Sequence, residues 1–180
     1  MPAPTLTDGV VQLDEFGPCD VDAHLANEDE EMARRFGWWP NRSTAHDVRA
    51  AFDRWAESWA SGGPIRAFAV REVATPTLVG SCELRLEEDH IARASYSVGP
   101  GARRRGFASR ALQLAVQWAF DGLGLARIEL YIEIDNVASR GVARRCGFVE
   151  EGLLRGRLRV GDARRDALLY ARLAADPSDG

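Results

Sequence analysis

The chain has 180 residues, 46% of them hydrophobic and 28% charged, which is ordinary for a globular protein with one core. Its 23 basic and 27 acidic residues give a net charge of −4, which argues against a dedicated nucleic-acid-binding protein. No apolar run approaches the ~20 residues that a membrane span needs, and no N-terminal run has the pattern of a signal peptide. The cysteines lack a C-x-x-C pair and the histidines lack ligand spacing, which predicts a cytoplasmic protein without a metal site.

The N-terminal part predicts one strand and one helix before an aromatic loop. We expect residues 1–9 to form a lead-in and the alternating run 10–16 to form the first strand. Asp20 or Asp22 can cap a helix that continues through residue 32. The aromatic loop follows at residues 36–40.

The middle of the chain predicts a second helix and three more strands. Ser43 or Thr44 can cap this helix, because apolar residues recur after them at helical spacing. Strands are expected over 65–73, 78–86 and 92–98. Turns of only a few residues join these strands, so we expect an antiparallel meander.

A loop rich in glycine and arginine follows the strand 92–98, and an amphipathic helix pattern begins directly after it. The start of a helix has backbone N–H groups without partners and carries partial positive charge, so it suits a phosphate. Gly106 allows a ligand to approach the backbone, and Arg103 to Arg105 add charged forked donors. An alternative interpretation is a solvated, arginine-rich turn.

The C-terminal half alternates between helices and strands. The helix that begins after Gly106 leads into a strand over 127–134, which should lie parallel to the strand 92–98 because a helix connects the two. A short helix over 136–145 follows. Two final strands near 148–157 and 164–173 are predicted to form a hairpin, and residues 174–180 to form a flexible tail.

Two motifs resemble a known family. The pattern Arg103-x-x-Gly106-x-Ala108 resembles the acetyl-CoA pyrophosphate loop (Q/R-x-x-G-x-G/A) of the GNAT acetyltransferase superfamily. The run Asn136-Val137-Ala138-Ser139, with the later Gly147-Phe148 pair, resembles the second half of that domain. The C-terminal part is similar to the branch that contains the ribosomal-protein N-terminal (alanine/serine) acetyltransferases. The resemblance covers residues 10–173.

The resemblance implies an α+β (mixed α/β) fold with one domain, in which helices flank a mostly antiparallel central sheet. The fourth and fifth strands of that sheet are expected to be parallel and to splay apart. It implies that acetyl-CoA, or another acyl-CoA, inserts into that gap. The residues expected to bind this cofactor are Tyr96, Val98, Arg103, Arg104, Arg105, Gly106, Phe107, Ala108, Ser109, Asn136 and Ser139. Backbone groups near Val98 would hold the pantetheine arm, and the Val98 N–H would point at the thioester carbonyl.

Acyl transfer to an amine requires a proton donor for the leaving thiolate and a group that deprotonates the amine. Ser139 is the candidate acid, with simple helix capping as the alternative interpretation. Glu83 is the candidate base and also a candidate substrate contact, with Glu133 as a weaker choice. Some members of the branch are argued to use a carboxylate in the sixth strand, and residues 153–160 contain none. Trp38 and Trp39 are expected to contact the acceptor.

The resulting hypothesis is an N-acetyltransferase that moves an acetyl group to a primary amine by direct transfer in a ternary complex. A small-molecule amine and a protein N-terminus are both open as acceptors. One alternative is a non-catalytic acyl-CoA-binding or sensing module. Another keeps the chemistry but uses an acyl-CoA such as succinyl-CoA, whose carboxylate could meet the arginines of residues 155–159. Edges of the C-terminal strands could support a homodimer.

Overall fold

In the computed structural model, which describes residues 2–177, a twisted sheet has helices on both faces. Its strands are β1 (Leu6–Thr7), β2 (Val11–Asp14), β3 (Ile65–Glu72), β4 (Thr77–Leu86), β5 (Ile91–Val98), β6 (Arg127–Glu133), β7 (Val149–Val160) and β8 (Ala163–Leu173). The helices are α1 (Val21–Ala26), α2 (Glu30–Phe36), α3 (Ala45–Ser61), α4 (Phe107–Leu123) and α5 (Val137–Arg145). The strand order is β1-β2-β3-β4-β5-β6-β8-β7.

The pair β5–β6 is parallel, and the other strand pairs within the described residues are antiparallel. Pairing of β5 with β6 covers only Ile91–Arg93 against Arg127–Glu129. Since β5 continues to Val98 and β6 to Glu133, the two strands separate beyond that short ladder. The expected fold, with a parallel and splayed pair inside an antiparallel sheet, is therefore confirmed.

The two faces of the sheet differ in chemistry. Directly paired residues of neighbouring strands point to the same face, so the cross-strand row Phe68, Cys82 and Tyr96 lies on one face. That face packs against α4 in the larger apolar cluster. The row Ala67, Glu83 and Ser95 lies on the other face, where Ala67 packs in a second cluster with residues of α1 and α3.

The prediction of one helix from residue 20 to residue 32 is wrong, because the structure has two helices there, α1 and α2. Between them the Asn27 side chain donates to the Leu78 carbonyl at 3.0 Å. The Asp29 side chain accepts from the Met32 N–H at 2.9 Å and caps α2. Short polar side chains that hydrogen-bond to backbone groups compete with a continuous helix, and this competition explains the break.

The lead-in contains a short strand that the sequence pattern did not predict. Leu6–Thr7 pairs with Leu13 and Gln12 of β2, so the strands predicted as fourth and fifth are β5 and β6. The cap of α3 is Thr44, which exchanges hydrogen bonds with Asp47. Of the predicted flexible tail, residues 178–180 lie outside the described residues, as does residue 1 of the lead-in. No helix of residues 2–177 is long and apolar enough to cross a membrane.

Candidate active site

The gap between β5 and β6 is lined by backbone groups of β5. Gly99 N–H donates to the Val79 carbonyl of β4 at 2.9 Å. Successive residues of a strand direct their backbone groups to opposite neighbours, so Val98 and Tyr96 direct theirs away from β4 and toward β6. There the β5–β6 ladder has already ended. The Val98 carbonyl accepts from Arg103 Nε at 3.3 Å, and the end of β5 offers its other backbone groups on this side to an extended ligand.

A run of backbone donors lies directly beyond the end of β5. Within the described residues, the N–H groups of residues 104–109 have no hydrogen-bond partner. Gly106 is the N-cap of α4, has a φ of 83°, and forms no side-chain cap. A Cβ placed on Gly106 would meet nothing within 4 Å, so open space lies beside it. Free donors at the start of a long helix favour an anion.

The three arginines of this loop differ in their surroundings. Arg103 pairs with Asp29 at 2.7 Å and with Glu31 at 3.3 Å, both at the start of α2. Arg105 pairs with Glu72 of β3 and lies over the Phe107 ring. Arg104 has no ion-pair or hydrogen-bond partner in the described part of the chain, and its φ is 62°. The backbone N–H groups of this loop and the Arg104 guanidinium are therefore the positive groups that remain available to an anion.

The first residues of α4 are packed into the protein. Phe107 is 3% exposed and belongs to the core, while Ala108 packs against that core. Ser109 is also buried, and its hydroxyl accepts from Arg145 Nε at 3.3 Å. The side chains of these three residues thus hold the helix start in place, and their N–H groups remain available to a ligand.

A pair of hydroxyl groups joins β5 to α5. Tyr96 Oη lies 2.8 Å from Ser139 Oγ and donates to the Ser139 carbonyl at 3.1 Å. In the contact between the two hydroxyl groups, either oxygen can be the donor. Burial raises the pKa of Tyr96 above its usual range, since a phenolate would be poorly solvated there, so Tyr96 stays protonated.

Asn136 caps α5 and positions Ser139. Its Oδ1 accepts from the Ser139 N–H at 3.0 Å. The residue that caps this helix through its side chain is therefore Asn136, and the Ser139 side chain is directed to Tyr96 instead. The capping interpretation considered for Ser139 thus applies to Asn136.

Glu83 lies on the sheet face opposite to Tyr96. It is paired with Ser95 of β5, and its carboxylate is 3.4 Å from Arg85. On the same face the hydroxyls of Ser81 and Ser97 are 2.8 Å apart. Glu83 is thus a partly exposed carboxylate beside the gap. Glu133, in contrast, is 7% exposed and accepts from Arg35 and Arg165, both at 2.9 Å, so it is held as an ion-paired carboxylate.

Trp38 and Trp39 line a pocket of about 190 Å³ between α1, α2 and the loop before α3. Trp38 stacks on Phe36 at 5.2 Å, and the guanidinium of Arg34 lies 4.8 Å from the Trp39 ring. The pocket also contains Asp29, the partner of Arg103. The structure thus places the tryptophans beside the loop after β5. Among the described residues, no hydrogen bond, ion pair or ring contact joins either tryptophan to Glu83 or Ser139.

Two buried thiols lie near Tyr96. Burial raises the pKa of Cys82 to about 12 and that of Cys146 to about 11. A thiol with such a pKa carries almost no thiolate at neutral pH and is a poor nucleophile. Neither cysteine suits the role of a covalent acyl carrier.

The sequence profile of the acetyltransferase (GNAT) domain matches residues 11–149 of this chain. The chain belongs to the GNAT acetyltransferase family. Among curated relatives, the N-acetyltransferase p20 of Bacillus licheniformis, itself uncharacterized, is 32% identical over 95 residues. That alignment covers 52% of this chain and 53% of the relative, so it spans about half of either protein.

Solved GNAT structures match over nearly the whole chain. RimJ of Mycobacterium smegmatis, solved with CoA-disulfide, has a TM-score of 0.80 and 25% identity, and the match covers 95% of this chain and 86% of that one. The ribosomal-protein-S5-alanine acetyltransferase of Vibrio fischeri has a TM-score of 0.78 and 20% identity, with coverage of 96% and 98%. The expected resemblance to this family, and to neighbours named for ribosomal-protein acetylation, is confirmed.

Three contacts of the site were not visible in the sequence. The hydroxyl of Tyr96 meets Ser139, which lies 43 residues further along the chain. The Asn27 side chain lies over Gly99, where a Cβ would come within 2.0 Å of its Oδ1. Arg157 lies over the ring of Tyr131, at 4.1 Å from its centroid. Each of these contacts joins residues that are distant in the chain, so no local sequence pattern signals it.

Proposed function

We propose that this chain is an acetyl-CoA-dependent N-acetyltransferase that moves an acetyl group directly to a primary amine in a ternary complex. The observation that carries this proposal is the arrangement at the end of β5. There the β5–β6 ladder stops, backbone groups of β5 face the gap, and six N–H donors without a partner among the described residues follow at residues 104–109. An extended arm that ends in a pyrophosphate fits this arrangement.

The residues present fit acetyl-CoA at both ends of its arm. The donors of residues 104–109, with Gly106 at the start of α4 and the guanidinium of Arg104 nearby, would hold the pyrophosphate. The backbone groups of Tyr96 and Val98 would hold the pantetheine amides as an added strand does. Asn136 would support this arm at the start of α5. When bound, acetyl-CoA supplies an acyl thioester.

In the transfer, the acceptor nitrogen bonds to the acyl carbon as the carbon–sulfur bond breaks. One proton leaves the amine, and one proton reaches the departing thiolate. We assign the second proton to the Ser139 hydroxyl, which Asn136 fixes through the backbone and which Tyr96 contacts at 2.8 Å. The Val98 N–H, directed into the gap, would stabilise the negative charge that develops on the carbonyl oxygen.

Glu83 is the proposed base, acting directly or through water, on the face opposite to Tyr96. The α-amino group of a peptide has a pKa near 8, so a weak base is sufficient to remove its proton near neutral pH. Trp38 and Trp39 are the proposed acceptor contacts, through the pocket that they form with Asp29. Direct transfer is supported by the high pKa values of Cys82 and Cys146, which disfavour a covalent intermediate on either thiol.

Acceptors of two kinds fit the proposal: a small-molecule amine and a protein N-terminus. Likeness to neighbours named for ribosomal-protein acetylation supports the second kind. We further propose a cytoplasmic location, because the cysteines are few and unpaired. A homodimer through the β7 edge, where Leu153 is 51% exposed, also stays a prediction.

The proposal is tested by following free thiol release from acetyl-CoA in the presence of a panel of amines. The panel contains N-terminal peptides, polyamines and single amino acids, and mass spectrometry identifies the acetylated nitrogen. We expect amine-dependent thiol release that saturates with acetyl-CoA. Tight acetyl-CoA binding without turnover on any amine would instead support a non-catalytic acyl-CoA-binding module.

A further inference from the structure

Arg157 lies on the face of the sheet that carries Glu83, the proposed base, and has no carboxylate partner among the described residues. The register of the parallel pair joins Arg93 to Glu129. Continuing that register by two residues places Tyr131 across the gap from Ser95, and Ser95 is paired with Glu83. Tyr131 thus stands in the same cross-sheet row as the proposed base, on the other side of the gap.

The guanidinium of Arg157 covers Tyr131. Its Cζ lies 4.1 Å from the ring centroid, within the range of a cation–π contact. The Tyr131 hydroxyl donates to Glu129 at 2.6 Å, which fixes the ring under the guanidinium. The guanidinium also interacts with the Tyr131 hydroxyl, and its remaining N–H groups are available to a ligand.

A β-bulge places Arg157 in this position. Leu154 pairs with Ala167 and Leu158 with Arg165, so β7 has three residues where β8 has one. The Asp166 carboxylate accepts from the Gly156 N–H at 2.7 Å, and Gly156 has a φ of 61°. Bulges redirect side chains and often lie next to active sites. Here the bulge turns Arg157 toward β6.

Nearby arginines on this face are paired with carboxylates, and Arg157 is not. Arg35 and Arg165 both pair with Glu133, and Arg93 lies 3.9 Å from Glu87. Within residues 2–177, no carboxylate lies within ion-pair distance of Arg157. A planar fork with free N–H edges is suited to a carboxylate, which it can bind through two parallel hydrogen bonds.

We propose that Arg157, held on Tyr131, is a carboxylate-binding residue of the transfer site. This proposal rests on the proposed acyl transfer and names a chemical property of its substrates. The carboxylate has two sources. It is either an acidic group next to the amine of the acceptor, such as a Glu side chain at the second position of a peptide, or the terminal carboxylate of a dicarboxylic acyl-CoA.

Calorimetric binding to the whole protein tests this proposal without needing turnover. One arm compares N-terminal peptides that are identical except for Glu or Gln at the second position, in the presence of CoA. The other arm compares succinyl-CoA with butyryl-CoA. The variants are Arg157→Gln and, as a matched control from the same bulge, Arg155→Gln, whose side chain is exposed. Thermal unfolding checks that both variants are folded.

We expect one arm to show a carboxylate preference of about tenfold or more in Kd, the size of a charge-assisted hydrogen bond. Arg157→Gln should remove that preference and leave the Kd of the neutral ligand unchanged, and Arg155→Gln should keep it. The arm that shows the preference identifies the source of the carboxylate. No preference in either arm, or an equal loss for charged and neutral ligands, would overturn the proposal.

Turnover in the same series separates this inference from the proposed function. Acetyl transfer to the neutral Gln peptide tests the transferase itself, and the control variant Arg155→Gln should leave its rate unchanged. A carboxylate preference in binding without any transfer would refute the transferase and retain the Arg157 site. Transfer without a carboxylate preference would retain the transferase and refute the Arg157 site.

Discussion

Tyr96 and Ser139 show how one pair of side chains can prepare a proton donor. Tyr96 can donate to Ser139 Oγ across 2.8 Å, and the Ser139 proton is then free to be directed to a ligand. Burial keeps Tyr96 protonated by raising its pKa. The arrangement fixes one hydroxyl rotor at the edge of the gap. Ser139 is therefore the proposed donor, and Tyr96 the proposed positioning residue.

We expect Ser139→Ala to lower kcat by about 10²-fold, at the low end of what a general acid contributes. The KM for acetyl-CoA should change little, because the backbone donors of the loop stay in place. Tyr96→Phe keeps the buried ring and removes the hydroxyl, and it should lower kcat by a smaller factor. Steady-state kinetics with a fixed amine measure both effects.

The double variant provides the control for this pair. If Tyr96 acts through Ser139, the double variant should be no slower than Ser139→Ala alone. Unchanged kcat in Ser139→Ala would show that this hydroxyl is not the proton donor. Multiplicative effects of the two single changes would show that Tyr96 acts independently of Ser139.

Single residues also show what a sequence can and cannot predict. The loop pattern at Arg103 to Ala108 and the Asn136–Ser139 spacing were recognisable because they are local. The partners of Arg103 and Arg105 were not, since Asp29 and Glu72 are distant in the chain. These arginines were predicted to bind pyrophosphate, and that role stays a prediction, because each already has a carboxylate partner in the structure.

At the scale of elements, the start of α4 combines two properties that a pyrophosphate needs. Its backbone N–H groups lack partners within residues 2–177, and the left-handed Gly106 leaves space beside them. The strand pattern and the loop predicted this junction, because alternation ends at Val98 and helical spacing begins after Gly106. The break between α1 and α2 was not predicted. It depends on Asn27 reaching the Leu78 carbonyl on a different strand.

Gly106→Ala should raise the Kd for acetyl-CoA by about tenfold, the equivalent of one lost hydrogen bond to a charged group. The added methyl group meets no protein atom within 4 Å and so points into the space where we place the ligand. It also forces a non-glycine residue into a left-handed conformation, at a cost of about 1–2 kcal/mol of stability. Calorimetric titration of acetyl-CoA measures the change in affinity.

The matched control is Gly124→Ala at the other end of the same helix. Gly124 has a φ of 65°, and no atom lies within 4 Å of its added Cβ either. Both variants should lose similar stability, and only Gly106→Ala should lose affinity for acetyl-CoA. Equal affinities of the two variants for acetyl-CoA would show that the pyrophosphate does not bind at the start of α4.

At the scale of the whole molecule, the sheet separates two chemistries. Its α4 face carries Tyr96 and the larger apolar cluster, and its other face carries Glu83, Ser95 and Tyr131. The antiparallel meander and the parallel pair followed from connection lengths in the sequence, and the gap between β5 and β6 was expected from the resemblance to the GNAT family. Which carboxylates become ion-paired and which arginines stay free depends on side-chain contacts between distant elements, and this was not predictable.

The second apolar cluster makes stability depend on pH through His24. The imidazole packs at 5.4 Å from the Phe52 ring and 5.9 Å from the Phe16 ring, and burial lowers its pKa. In the unfolded chain this group titrates near pH 6.5. The unfolded state therefore binds more protons just below pH 6.5, and the free energy of unfolding should fall as the pH drops through that window.

Urea unfolding at pH 7.5, 6.5 and 5.5 measures this dependence, since most carboxylates titrate at lower pH. His24→Gln should flatten the profile in this range, and the exposed His46→Gln should leave it as in the wild type. A wild-type slope that persists in His24→Gln would assign the pH dependence to another group.

The central claim is that CoA lies in the gap between β5 and β6 with its pyrophosphate at the start of α4. The most direct measurement is a crystal structure of the chain with CoA bound. We expect the pyrophosphate within hydrogen-bond distance of N–H groups of residues 104–109, the arm beside Tyr96 and Val98, and the sulfur near Ser139 Oγ. A pyrophosphate bound elsewhere, or a sulfur remote from Ser139, would contradict this account.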